Sequence, residues 1–213
     1  FRFGGVYNDI DDAFIAGTRE YIKKQRKRMP MYDALVTKNI ILIKRLKEIG
    51  YISKDMAIRY GATGPVARGS GINYDVRKNE PYSVYPEFDF DVPVYEEGDS
   101  MARYMVRMDE IEQSMRIIEQ ALDKLPEGEI KPKRAVKMVK PEKGDYYHAV
   151  EAARGSFGVR LVSDGTNTAY RLKLRSPTYS NLSLYGEATK GMLLPDALAL
   201  MGSLDLVIPE IDR

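Results

Sequence analysis

Eight apolar side chains, Met101, Tyr104, Met108, Ile111, Met115, Ile118, Leu122 and Leu125, recur at spacings that alternate between three and four residues. At 3.6 residues per turn such a pattern aligns all eight along one seam, so the stretch from about Ser100 to Lys124 reads as a bundle helix whose stripe needs partners. Asp99 or Ser100 stands where an N-cap belongs, Glu112 and Arg116 are spaced to pair across one turn, and Pro126 with Gly128 marks the stop. The three methionines of the seam are read as core packing rather than as an adaptable ligand surface.

Upstream, Asp9, Asp11 and Asp12 precede a stretch that ends in Lys23, Lys24, Arg26, Lys27 and Arg28, and Pro30 follows. Acids at the start and bases at the end complement a helix dipole, and the proline is expected to limit the helix. Residues Asp33 to Gly50 read as a second helical stretch broken near Asn39, with Gly50 as its stop. Ser53 caps a short helix from Lys54 to Tyr60 that Gly61 ends. A long loop follows, punctuated by Gly61, Gly64, Pro65, Gly69 and Gly71, and the aromatic residues between Tyr82 and Phe90 mark it as ordered and packed.

Beyond the long helix, residues Pro126 to Gly144 are rich in Lys, Pro and Glu and read as a connection. This divides the chain into a mainly helical region, 1–125, a connection, 126–144, and an α+β region, 145–213. In the last, Phe157, Val159 and Leu161 alternate with other residues, as do Tyr170, Leu172 and Leu174, and Ser163-Asp164-Gly165-Thr166-Asn167 lies between them. That is the period of two strands joined by a turn, predicting an antiparallel hairpin with its apolar residues on one face and a basic outer face. Two short helices, about Leu182 to Lys190 and Asp196 to Gly202, are expected next. The fold class is therefore α+β, a helical bundle with a small antiparallel β region.

Composition removes several functions. The 213 residues carry 33 Lys+Arg against 31 Asp+Glu, a net charge of +2, too balanced for a dedicated nucleic-acid binder. With no cysteine, the chain itself holds no disulfide, thiolate metal site, cysteine nucleophile or iron–sulfur cluster. No run reaches the ~20 apolar residues that span a bilayer. Phe1 follows neither an initiator Met nor a signal pattern, so the chain is expected to be a soluble fragment of a longer protein. The one histidine, His148, sits in an expected strand without metal-ligand partners or a triad, and is read as structural or superficial. The glycine-rich loop carries neither phosphate-loop nor dinucleotide spacing. The carboxylates from Asp89 to Asp99 lack calcium-hand spacing. No catalytic residue and no metal ligand is assigned on these grounds.

Several segments, in order, resemble the C-terminal part of the D, or 49-kDa, subunit of respiratory complex I, the proton-pumping NADH:quinone oxidoreductase. They are Phe3-Gly4-Gly5-Val6, Arg68-Gly69-Ser70-Gly71-Ile72-Asn73-Tyr74-Asp75-Val76-Arg77-Lys78 with Pro81-Tyr82, Glu87-Phe88-Asp89-Phe90-Asp91-Val92-Pro93-Val94, and Gly98-Asp99. Gln113-Ser114-Met115-Arg116-Ile117-Ile118, Pro126-Glu127-Gly128, Glu151-Ala152-Ala153-Arg154-Gly155, Leu161-Val162-Ser163-Asp164-Gly165, Tyr170-Arg171-Leu172-Lys173-Leu174-Arg175-Ser176-Pro177 and Ile211-Asp212-Arg213 complete the set. Together they cover nearly the whole chain.

The resemblance implies a fold related to the large subunit of nickel–iron hydrogenases, which hold their metal with two cysteine pairs, the last near the C-terminus. Here Ser203-Leu204-Asp205-Leu206-Val207-Ile208 takes that place without cysteine, so a nickel–iron centre has no ligands. In the quinone-reducing relatives the resemblance implies that the emptied cavity faces an iron–sulfur cluster of a neighbouring small subunit and accepts the quinone headgroup. Leu206, Val207 and Ile208 are then apolar quinone-binding residues. Arg154 borders the cavity or forms a buried ion pair, and Asp205 orients the tail or pairs with an arginine. Arg68 and Arg77 are implied to pack against neighbouring subunits or near the cavity. The family's quinone-ligating tyrosine and histidine lie upstream of Phe1, and neither Tyr7 nor His148 replaces them, so the isolated fragment is expected to be inactive.

By the same resemblance the chain binds no cofactor itself: the cluster and NADH, or another donor, sit on partner subunits, above all the small cluster-bearing subunit and the membrane arm. No nucleic acid is implied. The location is the cytoplasmic side of the cell membrane, in the peripheral arm. The connection between Pro126 and Tyr146 is shorter than in typical relatives, which leaves open an archaeal branch fed by reduced deazaflavin or ferredoxin. A purely structural scaffold, and a nucleic-acid module using Arg26 to Arg28, are the remaining alternatives.

Overall fold

A computed structural model describes residues 5–132 and 139–212. Residues 133–138 of the expected connection, and Phe3, Gly4 and Arg213 of the quoted motifs, lie outside the described residues. Helix α1, Asp12–Tyr32, starts where the Asp11 carboxylate accepts the Phe14 N–H at 2.7 Å. Pro30 does not end it. The helix runs past the proline and continues as one wider turn, Asp33–Thr37, where the Asp33 N–H reaches the carbonyls of Met29 and Pro30 and the Lys38 N–H reaches that of Asp33. A proline inside a helix removes its own donor, and a loosened turn beyond it re-pairs the backbone. The basic cluster therefore lies within the helix rather than at its last turn, and Arg26 forks between Glu112 and Glu119 of the long helix.

Asn39 caps α2, Ile40–Leu46, by accepting the Ile41 N–H, so the expected break is present. The helix stops at Leu46, ahead of Gly50, for a tertiary reason. The Asp99 carboxylate takes the Glu48 N–H at 2.7 Å, and the Ile49 carbonyl accepts both the backbone N–H and the hydroxyl of Ser100. These bonds pull residues 47–50 onto the start of the long helix. Ser53 caps α3, Lys54–Tyr60, and Gly61, at φ 65°, closes it, both as expected.

The long loop is packed, and it contains short helices too brief to show a period: α4, Pro65–Arg68, α5, Val76–Asn79, and a 3-10 turn, Tyr85–Glu87. Phe88 and Phe90 are buried, Tyr85 meets Tyr82, Phe88 and Phe90 edge-on, and the cations of Arg77 and Lys78 stand 5.0 and 4.2 Å from the Phe90 ring.

Helix α6, Ser100–Asp123, begins at Asp99, whose carboxylate accepts the Ala102 N–H at 2.7 Å. Of the eight seam residues only Met115 is fully buried, and Ile118 and Leu125 are exposed. The first turns instead bury Ala102, Arg103 and Val106. Glu112 and Arg116 do not pair with each other: Arg26 takes Glu112, and Arg116 meets Asp89 and Asp91 at 3.0 and 2.8 Å. Partners brought by neighbouring segments displace the one-turn pair, which is worth only about 0.2–0.5 kcal/mol.

The sheet has three antiparallel strands in the order β1, Gly144–Ala152, β2, Gly155–Ser163, and β3, Arg171–Arg175. Val159 opposes Leu174 and Leu161 opposes Leu172, so the apolar residues share a face as the alternation predicts. That face is not covered at β3, where Leu172 and Leu174 are exposed. The predicted pair of helices appears as three: α7, Pro177–Ser183, capped by Ser176, α8, Tyr185–Ala188, and α9, Leu194–Leu204. A 3-10 turn, Ile208–Glu210, follows.

One buried cluster joins both ends of the sequence: Ile52, Ala57 and Val66 pack with Leu184, Leu200 and Leu204. Each fully buried leucine stabilises by about 1.5–3 kcal/mol, so α9 is anchored by its core face. Among the described residues no helix is long and apolar enough to cross a membrane. Because Asp99 serves two segments at once, Asp99→Ala is expected to cost about 2 kcal/mol, read as a lower thermal unfolding midpoint, whereas Asp12→Ala in the first turn of α1 changes it little.

Candidate functional site

The β1–β2 turn lies against the segment between α3 and α4 at backbone contact distance. Gly64, at φ 64°, and Gly155, at φ 129°, make this possible: a Cβ on Gly64 would stand 2.4 Å from the Arg154 carbonyl oxygen, and one on Gly155 would stand 2.6 Å from the Gly64 nitrogen. Thr63 and the buried Asn181 lock the approach. The Thr63 hydroxyl accepts the Ser156 N–H at 2.8 Å, Asn181 Oδ1 accepts the Thr63 N–H at 3.1 Å, and Asn181 Nδ2 donates to the Arg154 carbonyl at 3.4 Å. The backbone of Arg154 is thereby fixed.

Its side chain meets the end of α9. Asp205 terminates that helix in the left-handed conformation, φ 53°, and its carboxylate lies 3.1 Å from Arg154 Nε and accepts from Arg154 Nη2 at 3.3 Å. Arg107 of α6 approaches the same carboxylate at 4.0 Å. Of the apolar residues that follow, Leu206 packs on the shared core, Val207 is half-buried, and Ile208 is 64% exposed. A cleft of about 400 Å³ adjoins the pair, lined by Leu46, Tyr104, Arg107, Ala199, Ser203 and Asp205.

Beneath the cleft Arg103 is fully buried. Its Nε donates to Ser203 Oγ at 2.9 Å, Nη1 to the Gly98 carbonyl at 3.0 Å, and Nη2 to the Gly50 carbonyl and Ser100 Oγ at 2.8 and 2.9 Å. Burial, with the Arg107 charge nearby, pushes this guanidinium down to about 9, and burial likewise lowers Arg107.

The implied interface arginines lie in a second ionic cluster. Arg68 is 2% exposed and engages Glu110 at 2.5 Å, Glu151 at 3.0 Å, the Tyr74 carbonyl at 3.0 Å and Asp75 at 3.6 Å. Arg77 holds Asp75 at 2.6 Å. Burial raises the Glu151 carboxyl against the pull of Arg68. Asp75 is buried too, yet the Arg77 hydrogen bond and the Arg77 and Arg68 charges bring it below the usual carboxylate range. His148 is exposed, with Tyr82 edge-on at 6.0 Å.

Arg154 and Asp205, which the motifs indicate, are thus brought together, whereas Arg103 and Arg107 join the same neighbourhood, and Glu110 and Glu151 the Arg68 cluster, without having been expected there. A signal existed for two of them. Arg103 and Arg107 are like charges four apart, an arrangement unfavourable on an exposed helix and tolerable only where other elements supply acceptors. Among the described residues no group of three or more His, Asp or Glu is placed to hold a metal ion. The donor set does not fit a nickel–iron centre, because the chain has no thiolate to offer.

The model of the respiratory-chain NADH dehydrogenase 49 Kd subunit family matches residues 1–143 and 132–213, and the chain belongs to that family. It is 71% identical over 213 residues to the D subunit of the NADH-quinone oxidoreductase of Desulfotalea psychrophila, covering all of this chain and 57% of that protein. It is 59% identical to the second D subunit of the NADH-quinone oxidoreductase of Opitutus terrae, covering 53% of it, and 50% identical to the D subunit from Syntrophobacter fumaroxidans, covering 57%. In both, the match takes in all of this chain. The chain thus spans a little over half the length of these relatives.

Two outcomes follow from this geometry. Gly64→Ala combines a strained φ with a backbone collision and is expected to cost about 1–3 kcal/mol, measured by chemical denaturation, whereas Gly17→Ala, with open space around it, does not destabilise. Asp75 has a folded-state pKa below its unfolded one, so its stabilising contribution is present above the unfolded value, near pH ~3.9, and is lost as pH falls through the folded value. Asp75→Asn is expected to flatten the acid limb of the stability profile below about pH 4 relative to the parent chain.

Proposed function

We propose that the chain forms part of the quinone-reducing module of an NADH:quinone oxidoreductase of the complex I type. In this reading an iron–sulfur cluster on a neighbouring small subunit passes electrons singly to a quinone held against Arg154, Asp205, Leu206, Val207 and Ile208. NADH is bound by other subunits. The module belongs to the peripheral arm, on the cytoplasmic side of the membrane, next to the membrane arm that translocates protons. The bundle is on this view a cysteine-free form of the nickel–iron hydrogenase large-subunit fold.

The observation that carries the proposal is the Arg154–Asp205 pair at 3.1 Å, whose carboxylate lines a cleft, in a C-terminal tail that carries no cysteine. A guanidinium held by a single carboxylate keeps donors for a quinone oxygen as negative charge develops there, and stabilises that charge without giving up a proton, since arginine is not deprotonated in proteins. Asp205 sets the direction of those donors. Leu46 and Ala199 give the cleft its apolar walls, and Leu206, anchored in the core, and Val207 follow Asp205 directly along the chain. The names of the relatives, all NADH-quinone oxidoreductase subunits, support this electron donor over deazaflavin or ferredoxin.

In the assembled complex, Arg154→Ala and Val207→Asp are each expected to lower quinone turnover about tenfold, or ~1.4 kcal/mol of transition-state stabilisation, while electron flow to an artificial hydrophilic acceptor stays unchanged. Parental quinone kinetics in both stably assembled variants would favour a purely structural role for this part of the chain.

A further inference from the structure

The three arginines around the end of α9 differ in how fully their donors are engaged. Arg103 is fully buried and all three of its nitrogens donate to named acceptors, so it is a strut with no reach into the cleft. Arg154 is held by Asp205, through a hydrogen bond from Nη2 and an ion-pair contact of Nε at 3.1 Å. Arg107 lacks so close a carboxylate. Its Nη1 donates to the Arg103 carbonyl at 2.9 Å, and its Nε, buried without a hydrogen-bond partner as the Arg154 Nε also is, stands 4.0 Å from Asp205, the outer limit of an ion pair. The side chain lines the 400 Å³ cleft, whose other walls combine apolar Leu46 and Ala199 with the Tyr104 and Ser203 hydroxyls. The Tyr104 hydroxyl is bonded to Thr37 and the Ser203 hydroxyl donates to the Leu200 carbonyl, which leaves Arg107 as the planar donor facing the space.

We propose that Arg107 is a substrate-binding residue of the cleft, donating from its guanidinium edge to a carbonyl oxygen of the quinone headgroup, with Asp205, which holds Arg154, as the nearby counter-charge. This rests on the quinone-site reading and adds to it a residue that neither the sequence motifs nor the apolar tail indicated. The chemistry is specific. The Arg107 guanidinium on the cleft wall is a charged donor, which favours an oxygen gaining electron density over the neutral oxidised ring. The fork geometry matters because lysine, a point charge on a flexible stem, does not reproduce a planar donor edge.

The test uses the assembled complex with Arg107→Met and Arg107→Lys, measuring KM for a short-chain quinone, affinity for a competitive quinone-site inhibitor, and electron flow to a hydrophilic artificial acceptor. The expected result is a KM raised at least tenfold in Arg107→Met and at least threefold in Arg107→Lys, weaker inhibitor binding in both, and unchanged flow to the artificial acceptor. Values within twofold of the parent in either assembled variant overturn the proposal. So does failure of both variants to assemble, since that makes Arg107 a structural residue. Val207→Asp separates the two levels: if it impairs quinone kinetics while the Arg107 variants are silent, only the assignment of Arg107 falls. If all three are silent, the quinone-site reading falls with it.

Discussion

One buried guanidinium organises the region from which the site is built. Arg103 receives no carboxylate in its hydrogen-bond shell, and binds instead the carbonyls of Gly50 and Gly98 and the hydroxyls of Ser100 and Ser203. Those four acceptors come from the segment after α2, the entry to α6, the first turn of α6 and the last turn of α9. A charge taken out of water is tolerable only when such a shell is complete, so each acceptor constrains the placement of the others. The Ser203 contact fixes the last turn of α9, and Asp205 is two residues further on.

From this anchor the rest follows in steps. The shared core of Ile52, Ala57, Val66, Leu184, Leu200 and Leu204 holds α9 against α3 and α4. The glycine contact between Gly64 and Gly155 sets the β1–β2 turn on the same α3–α4 segment, and Arg154 emerges from that turn facing Asp205. Two residues 51 positions apart in sequence thus converge on one ion pair. The second cluster, around Arg68, does comparable work further along α6, where Arg68 bridges Glu110 of that helix to Glu151 of β1.

Local chemistry was legible in the sequence wherever it depends on neighbours along the chain. The caps at Asn39, Ser53 and Asp99, the left-handed stop at Gly61 and the paired strands around Ser163–Asn167 all appear where side-chain type and spacing place them. The family motifs led to Arg154 and Asp205 as neighbours of one site. What was not legible depends on contacts from afar. The early end of α2 is imposed by Asp99, 51 positions beyond the Glu48 N–H it accepts, and the helix through Pro30 is rescued by a turn whose carbonyl pairing no propensity encodes. The seam of α6 overstated burial, because periodicity shows which residues share a face but not how much of that face is covered. Arg103 illustrates the limit most clearly: a charged residue reads as solvated until the four acceptors surrounding it are known.

The cleft beside the Arg154–Asp205 pair is, on this view, the berth of a quinone headgroup, and the rest of the functional reading depends on that. The most direct measurement is a structure of the assembled complex with a quinone analogue bound. The headgroup oxygen is expected within hydrogen-bond distance of an arginine beside Asp205, with the ring against Leu206 and Val207. A headgroup bound elsewhere, with this cleft filled by protein side chains from a neighbouring segment, would contradict it.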